Sequence, residues 1–236
     1  MPDSLEQLAQ RILAERAPVL LLDTCSILDV VRVPLRQTRG DLLGAAQRLV
    51  NRVHGLPRGL WIVISEQVYQ EWQDNAPSVV GEVAATITRT EDAARRLIAT
   101  ARGVAPNQRI SGFSLGGMEL HNLLLNRSRS LLDGADVLSD DDACHRRAVE
   151  RMRQRLAPAS QGEGFKDCHI VEHFLELARR LRASALTDQI IFVSSNTKDY
   201  GASPGRAPLD SEFQAVDLNF VTDIAWAESE LGQPEP

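Results

Sequence analysis

The stretch APVLLLDTCSILDVV, residues 17–31, places an acid at the end of a run of apolar residues. Its first part, VLLL (19–22), is wholly apolar, which is typical of a short parallel strand that is buried on both faces. Asp23 follows directly, and a second apolar segment, residues 27–31, is broken only by Asp29. Ligands of open parallel sheets bind beyond the carboxyl ends of the strands, so the sequence predicts that Asp23 lies at such a position.

Other apolar runs extend this prediction to the whole chain. LWIVIS (60–65) and DQIIFVSS (188–195) predict two more buried strands, and FQAVDLNFV (213–221) predicts a weaker fourth. Segments with helical spacing separate these runs, a pattern that indicates a parallel sheet with right-handed crossovers. We therefore predict a single α/β domain over residues 1–236. Its architecture is a three-layer α/β/α sandwich around a central parallel sheet, with a helical insertion at about residues 77–160.

The composition limits the class of protein. The chain has 236 residues, of which 43% are hydrophobic and 25% charged, as in ordinary globular proteins. It contains no apolar run of membrane-spanning length, and its first residues, MPDSLEQLAQ, are polar and acidic, so we expect neither a transmembrane helix nor a secretory signal. Three widely spaced cysteines without a C-x-x-C motif favour reduced thiols in the cytoplasm. The formal net charge of −6 argues against a general polyanion binder.

Four acids stand where their side chains could meet. Asp23 follows the first strand, Glu71 lies on the helix after the second, and Asp199 lies just beyond the third. Asp167 opens a later helix and shares the apolar face of that helix, so it points inward. Converging carboxylates raise one another's pKa, and a divalent cation removes this penalty. Hard cations such as Mg²⁺ prefer oxygen ligands, and a pair of such ions can promote phosphodiester cleavage.

The chain also resembles a known family. LLLDTCSIL, WIVISEQVYQEW, FKDCHIVE and IIFVSSNTKDY resemble, in order, the four motifs of the PIN-domain nucleases, metal-dependent ribonucleases that include the toxins of many bacterial toxin–antitoxin pairs. The resemblance implies that four acids are catalytic and bind Mg²⁺ or Mn²⁺, namely Asp23, Glu71, Asp167 and Asp199. It implies further polar residues that orient ligands or phosphate, namely Thr24, Ser26, Ser194 and Asn196, and we predict that Lys166 contacts phosphates.

The same resemblance implies a substrate and partners. The expected substrate is nucleic acid, with RNA preferred over DNA, and the expected location is the cytoplasm. An inhibitor or antitoxin protein and a homodimer are compatible with the family. Two positions depart from the family pattern: Cys25 stands where Asn or Ser is common, and Asn196 stands where many members have an aspartate.

Other readings use different residues. HIVEH (169–173) matches the H-x-x-E-H pattern of zinc peptidases, with Glu172 as general base. On a helical wheel, however, His169, Glu172 and His173 share a polar face opposite Ile170, and we expect that face to be solvated. A phosphatase with Asp23 as nucleophile would need a second acid two residues later, where this chain has Cys25.

A non-enzymatic reading also stays open. A PIN-like scaffold could bind RNA or a protein without cleavage, using the insertion and the arginine-rich segment RRAVERMRQR (146–155). Metal dependence separates the two readings, because a nuclease needs its ions and a binder does not.

Overall fold

A computed structural model describes residues 2–36, 41–105, 115–159, 164–201 and 208–232. Within these ranges, five parallel strands form one sheet in the order β3-β2-β1-β4-β5. The strands are β1 (Val19–Leu22), β2 (Trp61–Ser65), β3 (Ala135–Leu138), β4 (Ile190–Val193) and β5 (Asn219–Val221).

Helices connect the strands and cover the sheet. They are α1 (Leu5–Ala14), α2 (Thr24–Val31), α3 (Leu42–Val53), α4 (Glu66–Val104), α5 (Leu120–Asp133), α6 (Asp142–Arg153), α7 (Phe165–Ala183), α8 (Thr197–Tyr200), α9 (Asp210–Ala215) and α10 (Ile224–Glu230). Helices α1 and α6 both pack on α7, whereas α2, α3, α4 and α5 pack with one another and α10 packs on α3. The predicted three-layer α/β/α fold is thereby confirmed.

The position of β1 explains its composition. It pairs with β2 on one side and β4 on the other, and all four of its residues are fully buried. The chain leaves β1 toward β2 and leaves β4 toward β5, so the connections diverge between these two neighbouring strands. Such a divergence opens a crevice at the carboxyl ends of the strands, where ligands of this class of fold bind.

The segment 77–160 differs from the prediction of an almost wholly helical insertion. It contains β3, which adds an edge strand next to β2. The strand is short, and three of its four residues are only half-buried, so its sequence, ADVL, lacks the continuous apolar run that marks the central strands. Pro77 does not begin a helix but lies inside α4, which continues through it.

The predicted fourth strand, 213–221, is only partly a strand. Its first residues belong to α9, and pairing with β4 is limited to β5. Phe213 of α9 and Val216, which follows that helix, are both buried, so the apolar pattern of this segment arises from two different elements.

In the part of the chain that the structure describes, no helix is both long and apolar enough to cross a bilayer. Cys25, Cys144 and Cys168 are free thiols.

Candidate active site

Asp23 is held at the carboxyl end of β1 by three donors. Its Oδ1 accepts a hydrogen bond of 2.7 Å from the Thr24 N–H, which makes Asp23 the N-cap of α2. Its Oδ2 accepts hydrogen bonds from Ser194 Oγ (2.6 Å) and Cys25 Sγ (3.0 Å). Burial raises the pKa of Asp23, although these donors oppose the shift. Asp23 is therefore both a helix cap and a buried acid with a fixed orientation.

Glu71 reaches the same place from α4. Its Oε2 accepts a hydrogen bond of 2.8 Å from Thr24 Oγ1, and its Oε1 accepts one of 3.0 Å from Gln67 Nε2. Thr24 therefore connects Asp23 to Glu71. The Lys166 ammonium lies 3.7 Å from Glu71 Oε1, and 62% of the lysine side chain is exposed. Lys166 thus stands at the rim with its charge accessible to a ligand.

Asp167 lies in the first turn of α7 and faces the other acids. Burial, followed by the negative charges of Asp23, Asp199 and Glu71, raises the pKa of Asp167 to about 7. The Tyr200 hydroxyl lies 3.5 Å from Asp167 Oδ1. Asp167 therefore points inward, as its place on the apolar face of the helix predicts, and lines the same cavity as Asp23 and Glu71.

Asn196 and Asp199 follow β4. Asn196 Nδ2 donates to Asp199 Oδ2 at 2.9 Å, and the Asn196 N–H donates to Ser194 Oγ at 3.1 Å. Asn196 lines the cavity described below, whereas Asp199 is absent from its lining residues. Asp199 thus lies next to Asn196 and adds negative charge near the cavity without lining it.

These side chains surround a cavity of about 250 Å³. The residues that line it are Asp23, Thr24, Cys25, Leu28, Arg32, Glu71, Asn75, Asp167 and Asn196. Sequence reasoning missed Leu28, Arg32 and Asn75. A signal was available, because Leu28 and Arg32 continue the helical spacing from Thr24, and Asn75 lies one turn after Glu71.

Ser26 does not belong to this cavity. The sequence motif predicted that it orients a ligand, but its side chain is buried and its Oγ has no hydrogen-bond partner. It lies two residues after the N-terminal end of α2, so the turn of the helix directs it away from Thr24 and Cys25. Ser26 is therefore not among the residues that line the cavity.

The HIVEH segment also differs from its prediction. His169, Glu172 and His173 are all buried rather than solvated, because α6 packs against this face of α7. Glu172 accepts charge-assisted hydrogen bonds from Arg147 (2.8 Å) and Arg151 (2.6 Å). A carboxylate held by two guanidinium groups is a poor general base, which argues against a zinc hydrolase at this helix.

Several arginines of the segment 146–155 form salt bridges within the protein. Arg151 is buried and pairs with Glu172 and Glu212, and Arg153 pairs with Glu150. Much of the positive charge that the sequence offered for nucleic-acid binding is therefore neutralised within the protein.

Comparison with known proteins agrees with this geometry. Residues 20–200 match the family model of the PIN domain, a span that contains all four predicted acids. The chain belongs to the PIN-domain family. PIN domains are generally nucleases, and PIN nucleases generally use divalent metal ions. Neither the curated proteins nor the solved structures contain a significant match to the chain.

The cavity of this PIN domain has the donor chemistry of a site for hard divalent cations. Its carboxylate, amide and hydroxyl oxygens are the ligands that Mg²⁺ and Mn²⁺ prefer. Burial and then the repulsion of the neighbouring carboxylates raise the pKa of Asp167, and a bound cation would relieve that repulsion. Each carboxylate oxygen can accept about two bonds. Two donors already occupy Asp23 Oδ2, so Oδ1, with one donor, retains the capacity for an ion.

Proposed function

We propose that this PIN-domain protein is a divalent-metal-dependent endonuclease that hydrolyses phosphodiester bonds, with RNA as its substrate. The observation that carries the proposal is the convergence of acids from separate elements on one cavity. Asp23 comes from the end of β1, Glu71 from α4 and Asp167 from α7. The preference for RNA follows from the resemblance of the four sequence motifs to ribonucleases of this family.

Asp23, Glu71 and Asp167 would hold Mg²⁺ or Mn²⁺, with Asp199 adding negative charge behind Asn196. The bound cation supplies Lewis acidity toward a phosphate oxygen and lowers the pKa of a water molecule. The protein's own contribution is positional. Thr24 fixes the orientation of Glu71, and Ser194 fixes that of Asp23.

Two basic residues would place the substrate. Lys166 is exposed beside Glu71. Arg32, at the C-terminal end of α2, lines the cavity. Phosphate groups of a nucleic acid are the natural partners of such charges at a site rich in carboxylates. Asn196 offers an amide group to the same cavity without adding negative charge.

A cleavage assay tests the proposal. Wild type, Asp23→Asn and Asp167→Asn are compared on structured RNA and on single-stranded DNA, with Mn²⁺ or with EDTA. Asp74→Asn is the matched control, since Asp74 is an exposed acid of α4 that does not line the cavity. We expect cleavage by wild type and Asp74→Asn in Mn²⁺ only. Cleavage activity of Asp23→Asn and Asp167→Asn should fall by more than about 100-fold, because loss of even an outer-shell partner of a metal lowers metal affinity or activity by about 10- to 100-fold.

Equal cleavage by Asp23→Asn and wild type, or persistence in EDTA, would contradict the mechanism. Binding of RNA by folded wild type without cleavage in any divalent metal would instead favour the scaffold reading. Cleavage of DNA in preference to RNA would overturn the assignment of RNA as the substrate but not the metal-dependent mechanism.

A further inference from the structure

A second group of metal-ligating side chains lies between the start of α6 and the body of α7. Asp140 belongs to the connection between β3 and α6, and His169 and His173 are one turn apart on α7. One ligand atom from each of the three residues lies within 4.8 Å of the other two. This group is distinct from the acid cavity, because none of its members lines that cavity.

His173 has the orientation of a metal-binding histidine. It is fully buried, and its Nδ1 lies 2.8 Å from the His169 carbonyl oxygen. A histidine that ligates a metal through one ring nitrogen commonly donates the other N–H to a backbone carbonyl in this manner. The arrangement leaves the lone pair of Nε2 directed toward the Asp140–Asp141 segment, where the Asp141 N–H donates to it at 3.0 Å.

His169 is a buried imidazole whose polar atoms lack hydrogen bonds of normal length. Only 3% of the residue is exposed, and its Nδ1 has no hydrogen-bond partner. Its Nε2 lies 3.8 Å from Asp140 Oδ1, which is beyond hydrogen-bond distance. Neither ring nitrogen therefore has a hydrogen bond of normal length, which is unfavourable for a buried ring, and a ligand at Nε2, the nitrogen that lies near Asp140, would give one of the two a partner.

We infer that Asp140, His169 and His173 bind one divalent transition-metal ion of the zinc type. Two imidazoles and one carboxylate are a ligand set that Zn²⁺ and Co²⁺ favour over Mg²⁺. Tetrahedral bonds of about 2.0–2.1 Å place ligand atoms about 3.4 Å apart, so the three ligand atoms, which lie within 4.8 Å of one another, must move closer together to bind an ion. Asp140 can make this movement, because 63% of its side chain is exposed. The ion replaces the Asp141 N–H as the partner of His173 Nε2.

The surroundings of the ion indicate a structural role. Glu172, the acid of the H-x-x-E-H pattern, is held by Arg147 and Arg151 and is not available as a base. The His145 ring packs edge-on near His169, at 5.6 Å between centroids, but does not belong to the group of ligand atoms that lie within 4.8 Å of one another. The ion would fasten the β3–α6 connection to α7, the helix that carries Asp167 in its first turn.

Cobalt spectroscopy on the full chain tests this inference. Co²⁺ is added to wild type, Asp140→Asn, His169→Gln and the matched control Asp142→Asn, an exposed neighbour of Asp140. We expect wild type and Asp142→Asn to show the strong visible bands of tetrahedral Co²⁺, which Zn²⁺ displaces at one equivalent. Asp140→Asn and His169→Gln should weaken binding by more than about 100-fold, as loss of a direct ligand exceeds loss of an outer-shell partner.

Asp167→Asn separates this site from the acid cavity. The cobalt bands should persist in that variant even where its nuclease activity is lost, because the oxygen-lined cavity does not supply the imidazole ligands. Absence of the bands in folded wild type would overturn the inference. Bands of unchanged strength in Asp140→Asn would overturn it as well. Asp140 is exposed, so this variant should fold even if replacement of the buried His169 disturbs folding.

Discussion

The carboxylate of Asp23 caps α2 and faces the candidate metal cavity at the same time. Ser194 supplies the shorter of its two side-chain hydrogen bonds, at 2.6 Å. The Ser194 side chain is fully buried, so this donor cannot be replaced by bulk solvent. The orientation of Asp23 therefore depends on a residue that follows a different strand, β4.

Replacement of Ser194 tests that dependence. We expect Ser194→Ala to lower kcat/KM for RNA cleavage in Mn²⁺ by about 10- to 100-fold, the usual effect of losing a partner that orients a metal ligand. Ser26→Ala is the control, because Ser26 is also a buried serine of this region but has no hydrogen-bond partner. Its activity should match wild type. A Ser26→Ala defect as large as that of Ser194→Ala would restore the sequence-based role of Ser26.

The raised pKa of Asp167 makes stability depend on pH in the metal-free protein. The pKa is about 7 in the folded state and 3.8 in the unconstrained group, so between these values the folded state binds more protons. The free energy of unfolding in EDTA should therefore fall as pH rises from about 4 to about 7, by at most about 1.4 kcal/mol per pH unit from this group.

Urea denaturation of wild type and Asp167→Asn across that range measures the effect. The slope of the free energy of unfolding against pH should be shallower in Asp167→Asn than in wild type. It should not be zero, because burial also raises the pKa of Asp23. Added Mn²⁺ should flatten the slope in wild type. Parallel slopes for the two proteins in EDTA would show that Asp167 is not the titrating group.

Among the elements, α2, α4 and α5 are joined by a buried chain of hydrogen bonds. Trp72 Nε1 donates to Ser128 Oγ at 2.9 Å, and Ser128 Oγ donates to the Ile27 carbonyl at 3.0 Å. Trp72 is the residue after Glu71, so this chain also anchors the part of α4 that carries a candidate ligand.

Loss of the Ser128 hydroxyl should leave the buried Trp72 Nε1–H without its acceptor and remove one donor from the Ile27 carbonyl. We expect Ser128→Ala to lower the free energy of unfolding by about 1–3 kcal/mol. Ser130→Ala is the matched control on the same helix, since its hydroxyl bonds only to the Asn126 carbonyl one turn earlier. Its effect should stay within about 0.5 kcal/mol. Equal denaturation midpoints for the two variants would contradict the proposed anchoring.

The central elements could be predicted from sequence because burial on both faces produces an unbroken apolar run. VLLL, WIVIS and IIFV correspond to β1, β2 and β4 for this reason. The edge strand β3 has half-buried residues and includes Asp136, so its pattern did not distinguish it from the surrounding helices. Edge position, which depends on tertiary pairing, cannot be read from such a short segment.

The candidate site likewise contains residues whose positions could be predicted from sequence and residues whose positions could not. Asp23, Glu71 and Asp167 line one cavity, a convergence that could be predicted because strand ends and helix faces fix their positions. Sequence reasoning misjudged the HIVEH face, because a helical wheel shows polarity but not whether a second helix supplies Arg147 and Arg151 to pair with that polarity. Helical spacing from Thr24 and Glu71 indicates Leu28, Arg32 and Asn75 as neighbours of the site, but the packing of α2 against α4 is needed to show that they line the cavity.

At the scale of the whole molecule, the net charge opposes the proposed substrate. The chain carries 26 basic and 32 acidic residues, so its long-range field repels a polyanion. Attraction must then come from a few local charges such as Lys166.

The salt dependence of RNA binding measures how many such charges act. In the Asp23→Asn background, where we expect cleavage to be suppressed, log Kd should rise linearly with log salt concentration. Lys166→Ala should reduce this slope by about 0.7, the contribution of one contact to single-stranded nucleic acid. Arg153→Ala, whose exposed charge pairs with Glu150, should leave the slope unchanged. An unchanged slope for Lys166→Ala would remove that residue from the phosphate contacts.

The central place of β1 also determines which parts of the site can open independently. The Asp23 N–H donates to the Val193 carbonyl at 3.1 Å, so the backbone of this acid belongs to the hydrogen-bonded ladder between β1 and β4. Exposure of that amide to solvent requires separation of two buried strands, an event close to global unfolding. Lys166 stands at the exposed start of α7, outside any ladder. The Asp23 side of the site therefore opens only with the whole fold, whereas the exposed start of α7 can fluctuate locally.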